Sequence, residues 1–328
     1  MTKTEAISKS SILGYIDNRY SLLKELGSGV SSTVYKAIDL RTNKLLAIKV
    51  FEDFALSLKE NEIKINEKIS SPFFIKYLDN STGYLVLDKP KGLKDFIVLE
   101  FASKGEAISF ITSKKAGLNE KLSKIFFAKI LAIVKELHRQ GICHLDLKLD
   151  NFLFCGENYT LKLGDFGFSS IIEKNKKGKP KKQNKFVGTD KYVAPEIVLS
   201  KEFDGEKADI FSLGVILFNI RLCKFGFTKI YVDKNGLYLK DNVYQYIKDK
   251  NEKLYWENLG DSLDISELSK EFKDLYFKMV SFNPKERPTI EEIYNHEWLK
   301  EIRNLNDEEL KQYEQEFINE LKAIKNKF

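Results

Sequence analysis

The stretch that decides the reading is His144-Leu145-Asp146-Leu147-Lys148-Leu149-Asp150-Asn151, followed fourteen residues later by Asp165-Phe166-Gly167. One short loop delivers a carboxylate, an amine and a carboxamide, and a second carboxylate comes soon after. Moving a phosphoryl group asks little covalent chemistry of a protein. It needs metal ions held by hard oxygen ligands, a positioned nucleophile and charge compensation. Asn151 and Asp165 offer oxygens to a divalent metal, Asp146 can accept or orient a hydroxyl proton, and Lys148 can neutralise the moving group. A solvated loop of mixed charge is the bland alternative, and it gives no reason for these side-chain types to arrive together.

Upstream, Tyr20 to Val50 is strand-like and is broken by the turn Gly27-Ser28-Gly29. Glycine lets backbone amides approach phosphate oxygens without a Cβ in the way, although a glycine pair serves an ordinary hairpin equally well. The strand–turn–strand setting argues against a dinucleotide fold, which needs a helix after the glycines. No Walker-type Gly-Lys-Ser/Thr occurs. Ala47-Ile48-Lys49 ends an apolar strand on a lysine, a mere edge charge unless a carboxylate fixes it. Glu62 is available on the next segment, which reads as a short helix over Glu60–Ile69 and stops before Ser71-Pro72. Two further strands are expected at Tyr84–Leu87 and Phe96–Phe101, split by the turn-rich Asp88–Lys94.

After Ala102 the character becomes helical. Leu122, Ile125, Phe126, Ile130, Ile133 and Leu137 recur at helical spacing, and Gly141 supplies a stop. Short strands and loops run to about Pro195, then helices to about Lys300. The expected organisation is an α+β chain of two lobes: a small β-rich lobe over 19–101 and a larger helical lobe over 102–300. Residues 1–18 read as a loose leader. Residues 301–328 read as a charged helical tail with an apolar stripe of Ile302, Leu305, Tyr313, Phe317, Leu321 and Ile324.

The 328 residues are 43% hydrophobic, enough for a sizeable core. The net charge of +6 is concentrated: Lys174 to Lys185 carries seven lysines and no acid, and the remainder is near neutral. Nucleic acid is therefore not an expected partner of the whole chain. Cys143, Cys155 and Cys223 have no metal spacing and read as reduced thiols, which suits the cytoplasm, with the nucleus as the alternative. The longest apolar run, Ile210–Ile220, is too short to span a bilayer and reads as a buried helix; no secretory signal is visible and no membrane partner is expected. Asn80-Ser81-Thr82 matches a glycosylation pattern by chance.

Gly27-x-Gly29, Ala47-Ile48-Lys49, Glu62, Glu100, Asp146 with Asn151, Asp165-Phe166-Gly167, Ala194-Pro195-Glu196, Asp209 and Arg287 follow in order. In this order the chain resembles the eukaryotic-type Ser/Thr protein kinases from about Tyr20 to about Lys300. The resemblance implies a two-lobed kinase fold and transfer of the ATP γ-phosphoryl group to Ser or Thr of protein substrates, with Mg2+ as the metal and Mn2+ as the alternative ion. It implies that Lys49 binds the α- and β-phosphates and pairs with Glu62, and that Gly27, Ser28 and Gly29 cover the nucleotide. Glu100 and Ala102 then form the hinge that meets adenine, Leu99 is the gatekeeper and Glu106 meets the ribose. Val34, Ala47 and Leu153 are placed with these nucleotide-binding residues. Asp146 matches the catalytic base, and Asn151 with Asp165 the metal ligands. Lys148 and Thr189 match the Ser/Thr type. Glu196 and Arg287 resemble a structural ion pair, and Asp209 a carboxylate that accepts backbone hydrogen bonds from the catalytic loop. Within the kinases the nearest look is the calcium/calmodulin-dependent group, on His296-Glu297-Trp298-Leu299; no EF-hand loop is present. A scaffold that keeps the fold without turnover is the alternative, but Lys49, Asp146 and Asp165 are all retained.

The departures are informative. Leu145 stands where the family usually has an Arg that grips a phosphate on the activation segment, and Glu173–Val187 contains no Ser, Thr or Tyr. The two absences agree, so activity without phosphorylation of that segment is expected. Glu62 comes only thirteen positions after Lys49, a short tether that should restrict outward swing of the helix. Asn66 replaces an apolar residue and needs polar partners, and Ser32 replaces a third glycine. The lysine run reads as a solvated loop or, alternatively, as a dock for an acidic partner. Glu106 and Asp150 resemble acids that favour a basic residue upstream of the phosphorylated site. The acidic tail is expected to lie on the large lobe rather than bind calmodulin, with inhibition or self-association as other readings; a monomer is expected.

Overall fold

Six strands occupy most of the first hundred residues: β1 (Gly14–Ile16), β2 (Tyr20–Ser28), β3 (Ser32–Asp39), β4 (Lys44–Phe51), β5 (Tyr77–Val86) and β6 (Pro90–Glu100). In the computed structural model, residues 12–173, 182–184, 187–199, 202–227, 230–233, 236–239 and 243–325 are described. The chain divides into two units, residues 1–103 with 165–167, and residues 104–164 with 168–328. In the first unit the six strands close into a barrel in the order β1-β2-β3-β4-β6-β5, with β1 pairing β5. Ile16, Leu22, Tyr35, Ala37, Leu46, Ile48, Val50, Phe96 and Val98 fill its interior. Because side chains alternate along a strand, the intervening Ala47, Lys49, Ile97 and Leu99 point out of the barrel.

That outer face is covered in part by α1 (Leu56–Lys68), which follows β4 through a single turn of 3-10 helix at Asp53–Ala55. Phe51, Ala55 and Ile97 form a second core cluster there, with Leu58 and Leu99 packed against it. Only Glu52 separates the strand from the turn, so the short tether between Lys49 and Glu62 contains almost no loop.

Three expectations for this unit are corrected. Residues 14–16 are not part of a loose leader: Ile16 is fully buried, and β1 completes the barrel. Three residues are too few to show a periodicity. The helix starts at Leu56 rather than Glu60, because Leu58 faces the Phe51 cluster ahead of the apolar positions used to recognise it. The two strands expected at 84–87 and 96–101 are a long hairpin over 77–100, and the expected turn 88–94 shrinks to the residues between β5 and β6. Within the first half of β5, Asp79-Asn80-Ser81-Thr82 is exposed throughout and carries no alternation to read.

The second unit opens with β7 (Gly105–Glu106) and α2 (Ala107–Ser113), then α3 (Glu120–Arg139). The Asn119 side chain caps α3 by accepting from Leu122 N at 2.9 Å, and Gly141, at φ +75, closes it. β8 (Ile142–Cys143), β9 (Phe152–Cys155), β10 (Thr160–Leu163) and β11 (Ser170–Ile171) form two small antiparallel sheets, β10-β9-β7 and β11-β8. Helices α4 (Pro195–Leu199) and α5 (Gly205–Leu222) follow. Ile210–Ile220 within α5 is buried on every side, the buried helix that its composition requires. After the hairpin of β12 (Ile230–Asp233) and β13 (Gly236–Leu239) come α6 (Val243–Lys248), α7 (Glu252–Gly260), α8 (Lys270–Met279), α9 (Ile290–Tyr294) and α10 (Lys300–Arg303).

The tail continues as α11 (Asp307–Lys325) and belongs to this unit. Phe317 stacks on Phe126 with centroids 5.0 Å apart and meets Phe110 edge-on at 5.5 Å. Lys114, Lys121 and Lys129 pair with Glu320, Glu316 and Glu314. Three acids of the tail are thus matched by lysines just after α2 and on α3. The lysine run 174–185, apart from 182–184, and residues 1–11 lie outside the described residues. No helix among the described residues is long and apolar enough to cross a membrane.

Candidate functional site

In the first unit the site residues are brought together by strand register. Lys49 on β4 lies opposite Val34 on β3 and Ile97 on β6, and Ala47 lies opposite Leu99. Alternation then places Val34, Ala47, Lys49 and Leu99 on the outer face of the barrel. Gly27 and Ser28 end β2; the turn closes with Gly29 N donating to Ser32 O at 2.9 Å, and the Ser28 and Thr33 hydroxyls meet at 3.1 Å. A Cβ built on Gly27 meets nothing within 4 Å, and on Gly29 only Ser32 O at 3.8 Å. Packing within the protein therefore does not demand these glycines, and the backbone of the turn is open to close approach. Glu100 donates its backbone N–H to Lys76 O and accepts Lys76 N on its carboxylate, fixing the strand end that leads to Ala102.

Lys49 is buried with its Nζ 2.7 Å from Glu62 Oε2 and 2.7 Å from Asp165 Oδ1. Burial works against its charge, but Asp165 and Glu62 outweigh that and hold the ammonium well above its ordinary range. Burial pushes the Glu62 carboxyl up to about 7; Lys49 opposes the shift and Asp165 adds to it. One lysine thus faces two carboxylates, and the cluster carries excess negative charge once both are ionised. That charge, with the Asp165 side chain 43% exposed, fits a divalent cation. Asp165 sits at φ +59 ahead of Phe166, which is buried and edge-on to Phe74 at 5.7 Å.

Sequence reasoning missed Asn61, the neighbour of Glu62 on α1. Its Nδ2 donates to Gly167 O at 2.9 Å and reaches Phe166 O at 3.5 Å, tying the helix to the backbone beside Asp165. An Asn immediately before a helical Glu is ordinary in sequence, so only the fold reveals it. Asn66, whose amide needed partners, donates to Glu62 O at 2.9 Å.

In the second unit, Asp209 organises the loop after β8. Its buried carboxylate accepts His144 N and Leu145 N, both at 2.8 Å, and meets His138 Nε2 at 2.8 Å. This holds Leu145 at φ +64, a conformation few side chains adopt, and aims Asp146. Asp146 Oδ1 accepts the Thr189 hydroxyl at 2.6 Å; Lys148 Nζ donates to the same hydroxyl oxygen at 2.8 Å and lies 2.9 Å from Asp146 Oδ2. Asn151 donates Nδ2 to Asp146 O at 2.8 Å, leaving its Oδ1 as the metal-ligating atom type. Gly164 N donates to Asn151 O at 2.9 Å. Glu106 and Leu153 are paired across β7 and β9. Burial raises the Glu106 carboxyl, Asp150 adds to the rise and Lys148 opposes it. Below this loop Arg287 makes a bidentate pair with Glu196 at 2.6 and 2.7 Å.

These geometries can be set beside known proteins. The protein kinase domain family matches residues 20–299. The human SNF-related serine/threonine-protein kinase is 31% identical over 294 residues, which cover 88% of this chain and 34% of that protein. The Drosophila melanogaster ovarian-specific serine/threonine-protein kinase Lok is 30% identical over 302 residues, covering 87% of this chain and 58% of that protein. The Arabidopsis thaliana serine/threonine-protein kinase SRK2E is 30% identical over 296 residues, covering 88% and 73%. The chain thus spans only about a third to three fifths of the first two relatives.

Proposed function

Because this chain belongs to the protein kinase domain family, we propose that it transfers the γ-phosphoryl group of ATP to Ser or Thr of protein substrates, without phosphorylation of its activation segment. One observation carries the reading: Asp146 and Lys148 converge on a single aliphatic hydroxyl, that of Thr189. A carboxylate accepting a hydroxyl proton, with an ammonium facing the same oxygen, is the arrangement that orients an alcohol for attack on phosphorus. When bound, Mg2+ with ATP supplies the phosphoryl group and neutralises its charge. Of the chain's own groups, Asp146 orients the substrate hydroxyl and takes up its proton, and Lys148 offsets charge at the attacking oxygen. Lys49, held by Glu62, binds phosphate oxygens. Asn151 and Asp165 are assigned as the metal ligands, with Mn2+ as an alternative ion. Gly27, Ser28, Gly29, Val34, Ala47, Leu99, Glu100, Ala102, Glu106 and Leu153 are assigned to the nucleotide.

The catalytic domain is assigned to residues 19–300, followed by the helical tail. The acidic pair Glu106 and Asp150 supports a preference for a basic residue upstream of the target hydroxyl. Membership of the calcium/calmodulin-dependent group is supported by the His296 motif, in which Trp298 is buried and donates to Glu120 at 3.0 Å. The free cysteines support a cytoplasmic location. The test is ATP turnover on a generic protein substrate by protein made in bacteria and treated with phosphatase, with Asp165→Ala as the control. Turnover by the phosphate-free protein and none by the variant is expected; loss of most activity on dephosphorylation refutes independence from phosphate.

A further inference from the structure

Gln183 stands, in sequence, between Asp165-Phe166-Gly167 and Ala194-Pro195-Glu196, in the stretch that has no Ser, Thr or Tyr. All four of its polar groups have partners, and all of these partners belong to the second unit. Its N–H donates to Phe203 O at 2.7 Å, and its C=O accepts from Phe203 N at 2.8 Å, an isolated antiparallel bridge. Its Oε1 accepts the Ser170 hydroxyl at 2.6 Å, and its Nε2 donates to Ile171 O at 3.2 Å.

Each partner leads to the catalytic loop. Ser170 and Ile171 are β11, which pairs with β8 directly ahead of His144. Phe203 precedes Asp204, the cap of α5, the helix whose Asp209 holds the backbone of His144 and Leu145. The aliphatic stem is packed as well. A Cβ added at Gly205 would lie 3.4 Å from Gln183 Cγ and 2.5 Å from Cys143 Sγ, so the start of α5 comes this close only as glycine. Leu145, buried and apolar, offers no charge to a phosphate.

We propose that Gln183 is a positioning residue that anchors the activation segment through neutral hydrogen bonds, in place of a phosphate held by a cation. The inference rests on the kinase reading above and deepens it. The orientation of the carboxamide is set by chemistry: Ile171 O can only accept, so the group facing it must donate. A carboxylate at position 183 cannot do so, and Gln183→Glu is therefore the discriminating variant.

The experiment compares wild type, Gln183→Ala and Gln183→Glu, each made in bacteria, treated with phosphatase and confirmed phosphate-free by mass spectrometry. Peptide kcat/KM, ATP KM, melting temperature and the rate of tryptic cleavage after Lys182 are measured. Losing two neutral hydrogen bonds of ordinary net worth predicts a fall of about tenfold in peptide kcat/KM and a comparable gain in cleavage rate. Gln183→Glu falls at least as far as Gln183→Ala. ATP KM stays within about twofold, because no nucleotide-binding group is touched. Peptide kcat/KM and cleavage rate both within twofold of wild type overturn the proposal. So does a parallel loss of ATP affinity and thermal stability, which would mark a general structural role. A phosphate-free wild type without activity overturns the kinase reading instead, and the cleavage rates then decide the anchor by themselves.

Discussion

Arg287→Ala offers the sharpest test of how the second unit is built. The Arg287 side chain is 0% exposed and Glu196 only 8%. Its guanidinium donates to both oxygens of Glu196, to Ser281 O at 2.8 Å and to Lys207 O at 2.8 Å, while lying over the Phe211 ring at 4.9 Å. Truncation leaves a buried carboxylate without its cation and two carbonyls without their donor. Breaking such a pair from one side costs roughly 3–5 kcal/mol. For a cooperative unit of this size each kcal/mol moves the melting temperature by about 2–4 °C, so a fall of roughly 6–20 °C is expected by circular dichroism or differential scanning fluorimetry. The double variant Arg287→Met with Glu196→Leu removes both charges, and should melt above Arg287→Ala alone. Arg287→Ala melting within about 2 °C of wild type, or a double variant whose cost equals the sum of the single ones, refutes the reasoning.

Three further outcomes follow from the geometry. Glu62 must be ionised to pair with Lys49, so kcat/KM for ATP should rise as pH passes upward through about 7. The limb should vanish in Glu62→Gln, and a flat wild-type profile between pH 6 and 8 would count against it. Stability runs the other way: a carboxyl raised by folding contributes stability at low pH that is lost as pH rises from the ordinary carboxylate range through about 7, visible in urea midpoints of wild type against Glu62→Gln. Asn61→Ala removes the bond to Gly167 O and should raise the ATP KM by about threefold to tenfold with little change in melting temperature; steady-state kinetics decide it. Phe317→Ala empties a position against Phe110, Phe126 and Phe154 and should cost about 3–5 kcal/mol without raising activity, whereas an inhibitory tail would release activity.

What could be read from the sequence followed its strongest periodicities. Apolar residues of α3 recur at helical spacing with a glycine after them, so the helix and its stop were legible, whereas its Asn119 cap was not. The buried α5 was legible from its unbroken apolar run. The edges of the barrel were not. β1 is three residues long, and residues 79–82 of β5 are exposed throughout, so neither stretch bears a hydrophobic pattern long enough to read. Asp209 reaching the loop amides and Glu196 meeting Arg287 came through the family resemblance, because pairs so distant in sequence leave no local trace. Asn61 and Gln183 had no signal at all. Both donate from neutral carboxamides to backbone carbonyls, and backbone acceptors have no residue type by which to recognise them.

Leu145 and Gln183 make sense only together. Position 145 is 3% exposed and its backbone is held by Asp209 in the left-handed region, so whatever side chain stands there is buried by the loop itself. A guanidinium at that position without a phosphate to meet it would be a buried unpaired charge, a cost of several kcal/mol. Leucine removes that cost and itself offers a phosphate no charge. The segment that the phosphate would have ordered then needs partners that are present at all times. Ser170, Ile171 and Phe203 supply them from elements already fixed by β8 and α5, and a carboxamide is the side chain that can donate and accept at once without carrying charge. The loss of a charge at 145 and the neutral amide at 183 are two sides of one electrostatic requirement.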